Sequence, residues 1–143
     1  MGSFGIDRIK SFEIVTLRTS GMRYVCEYEI VMKDCKAEVS LYDLRFSQDH
    51  DDSRVLRKRA ECDTKKVLTL LNDCDLLSWN GFHGKHPKGV LDGTMFTLNA
   101  SVNDGTRIYA DGSQNFPKKF RLFTDALYEI LNAGNSDKST PTA

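Results

Sequence analysis

The chain has 143 residues, 40% of them hydrophobic and 28% charged, which supplies one hydrophobic core and sets a single domain as the expectation. Its 20 Lys and Arg balance 20 Asp and Glu, so no whole-molecule field draws it to nucleic acid or to anionic lipid. No apolar run approaches the roughly 20 residues that span a bilayer, and Met1 to Lys10 carries no apolar signal-type segment. The chain therefore reads as cytoplasmic, although an exported protein with its leader trimmed would look the same.

In chain order, Phe12, Ile14 and Thr16 alternate with Glu13, Val15 and Leu17 until Thr19-Ser20-Gly21 breaks the run, which predicts a first strand and a turn. Tyr24 to Lys33 predicts a second strand, with Tyr24, Cys26, Tyr28, Ile30 and Met32 on one face and Glu27, Glu29 and Lys33 on the other. Asp34, Cys35 and Lys36 form the reversal. Ala37, Val39 and Leu41 then begin a third strand toward Phe46, with Tyr42 and Leu44 marking a register change or bulge.

Ser47 to Asp52 is an acidic loop, and Arg54 to Glu61 predicts an edge strand. Asp63 is a good N-cap, and Val67, Leu70, Leu71 and Cys74 stand at i, i+3, i+4 and i+7, so Thr64 to Asp73 is expected to be an amphipathic helix, after which the chain runs into Trp79. After a loop from Asn80 to Val90, turns at Leu91-Asp92-Gly93 and Asn103-Asp104-Gly105 bracket Thr94 to Val102 and Thr106 to Ala110 as a β-hairpin, because Gly after Asp supplies the positive φ a tight turn needs. Pro117 suits a first helical position, and Phe120, Phe123, Leu127, Ile130 and Leu131 form an apolar stripe ending before Gly134. The expectation is an α+β fold: a twisted antiparallel sheet of five to six strands with two helices on one face. One domain covers 1–134, and a polar C-terminal tail, 135–143, is expected to be disordered.

Several groupings could carry chemistry. His83 and His86, with Cys62 and Cys74 upstream, are zinc-ligand types, but the two Cys lack the close pairing of a zinc knuckle, so no metal and no cofactor is expected. The four cysteines read as reduced thiols, Cys26 and Cys74 in the core and Cys35 and Cys62 near element ends. Asp49, Asp51 and Asp52 lack the glycine and terminal Glu of a calcium loop. Arg54, Arg57, Lys58 and Arg59 are a basic run, yet on an alternating strand they diverge and read as edge protection, so nucleic acid is not an expected partner. Gly112 to Asn115 before Pro117 has the form of an anion cradle, or of a turn in which Ser113 and Asn115 satisfy the backbone while Phe116 packs inward. Trp79 and Phe82 could be surface anchors or core packing.

The motifs Trp79-Asn80-Gly81-Phe82, Leu91-Asp92-Gly93 and Gly112-Ser113-Gln114-Asn115-Phe116-Pro117 resemble a group of uncharacterised small bacterial domains over about residues 64–132, and that resemblance implies an α+β fold. The segment from Thr16 to Gly21, with the later Asp-Gly strands and final helix, is similar to emfourin-type metalloprotease inhibitors. No catalytic residues emerge. The expected function is a non-enzymatic domain that binds another protein through loops 80–90 and 112–115, with Trp79, Phe82, His83, His86, Ser113 and Asn115 as contact residues. Inhibition of a metalloprotease is one alternative. A metal-dependent hydrolase using His83, His86 and Asp92 is another.

Overall fold

The computed structural model describes residues 8–21, 25–45, 53–85 and 94–139. One sheet is formed by β1 (Phe12–Ser20), β2 (Val25–Lys33), β3 (Lys36–Arg45), β4 (Ser53–Asp63), β5 (His83–Gly84), β6 (Met95–Val102) and β7 (Thr106–Ser113). The spatial order is β4-β3-β2-β1-β6-β7-β5, and two helices, α1 (Thr64–Asp73) and α2 (Phe120–Ser139), complete the α+β architecture. Among the described residues the expected five to six strands become a 7-stranded sheet, and it is mixed rather than antiparallel, because β5 joins β7 in parallel. A two-residue strand has no alternation to betray it. The acidic loop, Tyr24, Phe46 and the Leu91-Asp92-Gly93 turn lie outside the described residues.

The buried face gathers Phe12, Val15 and Leu17 of β1, Ile30 of β2, Val39 and Leu41 of β3, Leu98 and Val102 of β6 and Ile108 of β7, against Val67 and Leu71 of α1 and Phe123, Leu127 and Leu131 of α2. Each such side chain contributes about 1.5–3 kcal/mol by leaving water. Both helices cover this face, with α2 lying against β3 and β4. Among the described residues no helix covers the other face.

Two bulges correct the simple alternation. In β1 the register slips between Phe12 and Ile14, so Phe12 and Val15 share the core side while Ile14 is 37% exposed, contrary to the expected Phe12 and Ile14 pairing of faces. In β4 the register passes from Leu41↔Lys58 to Tyr42↔Leu56, leaving Arg57 as the extra residue, and this is the register change anticipated near Tyr42. β4 is an outermost strand, and Arg57 bends its edge where another chain would pair.

The helix ends follow from named atoms. Asp63 caps α1, its carboxylate accepting from Lys65 N at 2.9 Å. Pro117 is not the first residue of α2: Lys119, at φ 69°, interrupts helical geometry, and the helix begins at Phe120. α2 also continues past Gly134 to Ser139, into the segment expected to be a disordered tail. A mid-helix glycine costs only about 1 kcal/mol, and no proline intervenes before Pro141. Residues 140–143 lie outside the described residues. Two asparagines tie the start of the chain to this frame. Asn72 accepts from Ile9 N at 2.8 Å and donates to Ile9 O at 2.9 Å, and Asn103 accepts from Lys10 N at 2.7 Å.

Candidate functional site

One end of the sheet is built by two separate segments locked together through their backbones. After α1, a 3-10 turn over Leu76–Trp79 carries the chain back across the core, entered through Asp75 in the left-handed region at φ 56°. Asn80 Oδ1 then accepts from Tyr109 N at 2.9 Å, Gly81 N donates to Tyr109 O at 2.9 Å, and Asp111 N donates to Phe82 O at 3.0 Å. These bonds lay β5 beside β7 with His83 opposite Asp111 and Gly84 opposite Gly112. The turn after β7 is fixed likewise, with Gln114 N donating to Thr94 O at 2.8 Å and Thr94 N donating to Gln114 Oε1 at 2.7 Å. Asn115 Nδ2 donates to Lys85 O and joins the two segments directly. The approach is close enough that a Cβ on Gly84 would meet Asn115 Cβ at 2.6 Å.

On the open face of this corner, His83 Nδ1 lies 2.9 Å from Asp111 Oδ1, and Tyr109 donates its hydroxyl hydrogen to Asp111 Oδ2 at 3.0 Å. The bonds from His83 and then Tyr109 hold the Asp111 carboxyl below its ordinary value, and the same bond to Asp111 raises the Tyr109 phenol. An ionised carboxylate only accepts, so His83 Nδ1 carries the hydrogen. The side chains of His83 and Asp111 are 63% and 38% exposed, and solvent screens the pair. Beside them is an open cavity of about 410 Å³ lined by Arg18, Met95, Thr97, Asp111, Gly112 and Ser113, among others.

The residues expected to bind separate on inspection. Trp79 is not a surface anchor: it is 1% exposed, with its ring 5.9 Å from that of Phe120 and 5.7 Å from that of Phe123. Its Nε1 is buried without a hydrogen-bond partner. Phe82 is half-buried, its ring 6.1 Å from that of Phe96. His83 is exposed, Ser113 lines the cavity, and Asn115 is exposed but committed to Lys85. His86 and Asp92 lie outside the described residues. The residues missed from sequence are Arg18, Thr97, Tyr109 and Asp111, which lie on strands and become neighbours only through pairing.

The remaining chemical groupings take structural positions. All four cysteines are free thiols, and burial pushes the Cys74 thiol up to about 11, leaving it protonated and a poor nucleophile near neutral pH. Cys74 is fully buried, Cys26 half-buried, Cys35 exposed in the β2–β3 turn, and Cys62 near the end of β4. Among the described residues no three His, Cys, Asp or Glu side chains converge to hold a metal ion. The basic run is largely engaged: Arg54 with Glu27 at 2.9 Å, Arg57 with Asp43 at 3.4 Å, Lys58 with Asn132 Oδ1 at 2.6 Å and Arg59 with Tyr42 at 3.0 Å. Among the described residues no helix is long and apolar enough to cross a membrane. Comparison with protein-family models and with curated proteins finds no match to this chain.

Proposed function

We propose that the protein is a non-enzymatic recognition domain that engages a protein partner at the corner where segment 80–85 meets the turn 112–115. The observation that supports this reading is the division of labour there. Backbone groups of both segments are tied by hydrogen bonds, while the side chains of His83, Tyr109 (41% exposed) and Met95 (51% exposed) face solvent. A surface ordered before contact loses little conformational entropy on binding, and exposed aromatic and thioether groups supply contact area. The four free thiols support a reducing, cytoplasmic compartment for this activity.

A photo-crosslinking amino acid placed at His83 or Ser113 should capture the same protein in an extract of the source cells, and one at Arg121 on the helical side should not. Capture that is equal from all three positions, or absent from the first two, overturns the reading.

A further inference from the structure

A single row of side chains crosses the whole open face in register: Leu56 of β4, Tyr42 of β3, Glu27 of β2, Arg18 of β1, Thr97 of β6, Asp111 of β7 and His83 of β5. Within it a cation and an anion flank a small neutral residue. Arg18 and Asp111 both lie opposite Thr97, one on each side, and all three line the same cavity. We infer that this cavity binds a zwitterion of dipeptide length, its carboxylate on Arg18 and its ammonium on Asp111, lying across the strands over Thr97.

Each end has capacity to spare. Arg18 gives one Nη2 hydrogen to Glu27 Oε1 at 3.3 Å, which leaves its second Nη2 hydrogen, together with the Nε or the Nη1 hydrogen beside it, for a bidentate carboxylate. Glu27 also takes Arg54 Nη1 at 2.9 Å, so it positions Arg18 without monopolising its charge. Each Asp111 oxygen accepts one bond, from His83 or from Tyr109, and keeps a lone pair for an ammonium hydrogen.

The spacing selects the length of the ligand. Strands about 4.8 Å apart put the Arg18 and Asp111 backbones about 10 Å apart, with β6 between them. Arg18 bonds outward to Glu27 and Asp111 bonds outward to His83, which favours a separation of the two charges no shorter than that of the backbones. One residue of about 3.5 Å with two ionic contacts of about 2.8 Å reaches only about 9 Å, whereas two residues reach about 12–13 Å. The adjacent row, Ser20, Met95 and Ser113, places an exposed thioether where the C-terminal side chain would rest, which favours an apolar second residue. The cavity shares Gly84, Met95, Gly112 and Ser113 with the corner assigned to a protein partner, but the peptide site needs no such partner.

The test is a titration of the isotope-labelled full chain with glycyl-L-leucine, followed by amide chemical shifts. Saturable shifts centred on Arg18, Thr97 and Asp111 are expected, with affinity reduced about tenfold or more by N-acetylation, by C-terminal amidation, and by Arg18→Gln or Asp111→Asn. Thr97→Phe fills the floor without touching either charge and should abolish binding while the remaining spectrum stays native. An absence of saturation in the millimolar range overturns the inference. So does binding that survives blocking either terminus, or that is unchanged in Arg18→Gln or Asp111→Asn. Because the assay contains no partner protein, it stands or falls independently of the crosslinking result.

Discussion

The covered and open faces of the sheet alternate along the same strands but are held together by different forces. On the covered side, Val15, Leu17, Leu98 and Ile108 meet α1 and α2, and the gain comes from removing apolar surface from water. On the open side, Glu27 is 6% exposed with no helix above it among the described residues, shielded by the Arg18 and Arg54 side chains that bond it. Tyr42 is 8% exposed under the Arg54 guanidinium, which stands 3.9 Å from its ring centre. One face carries the apolar burial, and the other carries ion pairs and a cation–ring contact.

The largest test of this contrast is at Trp79. Truncation to Ala should destabilise by about 3–5 kcal/mol, read by denaturant unfolding. Trp79→Phe should cost much less, since the smaller ring also removes an N–H buried without a partner. At the rim of the covered face, Asn72→Ala releases both polar groups of Ile9, and a loss of about 1–3 kcal/mol is expected, with faster amide exchange near Ile9. On the open face, Glu27→Gln should cost about 1 kcal/mol, because the arginines it leaves are roughly half exposed and regain water. A loss as large as that of Trp79→Ala would erase the distinction between the faces.

The smallest effect is the most specific to the corner. Asp111 has a lowered folded-state pKa, so its contribution is present above the unfolded-state value and is lost as pH falls through the folded one. A carboxyl-carbon NMR titration should find the Asp111 midpoint below the ordinary Asp value, and His83→Ala should move it back upward. Overall unfolding should barely respond, since solvent screens the pair.

Legibility in the sequence follows the range of the interaction that decides each feature. α1 was readable to the residue because Asp63 and the Val67, Leu70, Leu71, Cys74 spacing are local. The hairpin of β6 and β7 was readable from Asn103-Asp104-Gly105, where all three residues take positive φ. The face of β1 was misread because a single inserted residue near Glu13 shifts everything after it, and no residue type announces a bulge. Trp79 carried two readings, and only the ring contacts with Phe120 and Phe123 decide between them. The row of Arg18, Thr97, Asp111 and His83 was invisible, because it requires the register of four strands at once.

The close seam between β5 and the turn after β7 has a consequence for how this surface can change. Gly84 and Gly112 face Asn115 so tightly that any larger residue displaces the chain, and a Cβ on Gly112 would also come within 2.7 Å of the Phe96 ring. Positions 83, 95, 97 and 109 point outward from that fixed seam. The corner therefore acts as a template on which a library of variants could be drawn, by natural drift or in the laboratory, with two glycines kept constant and four positions free to write new specificities.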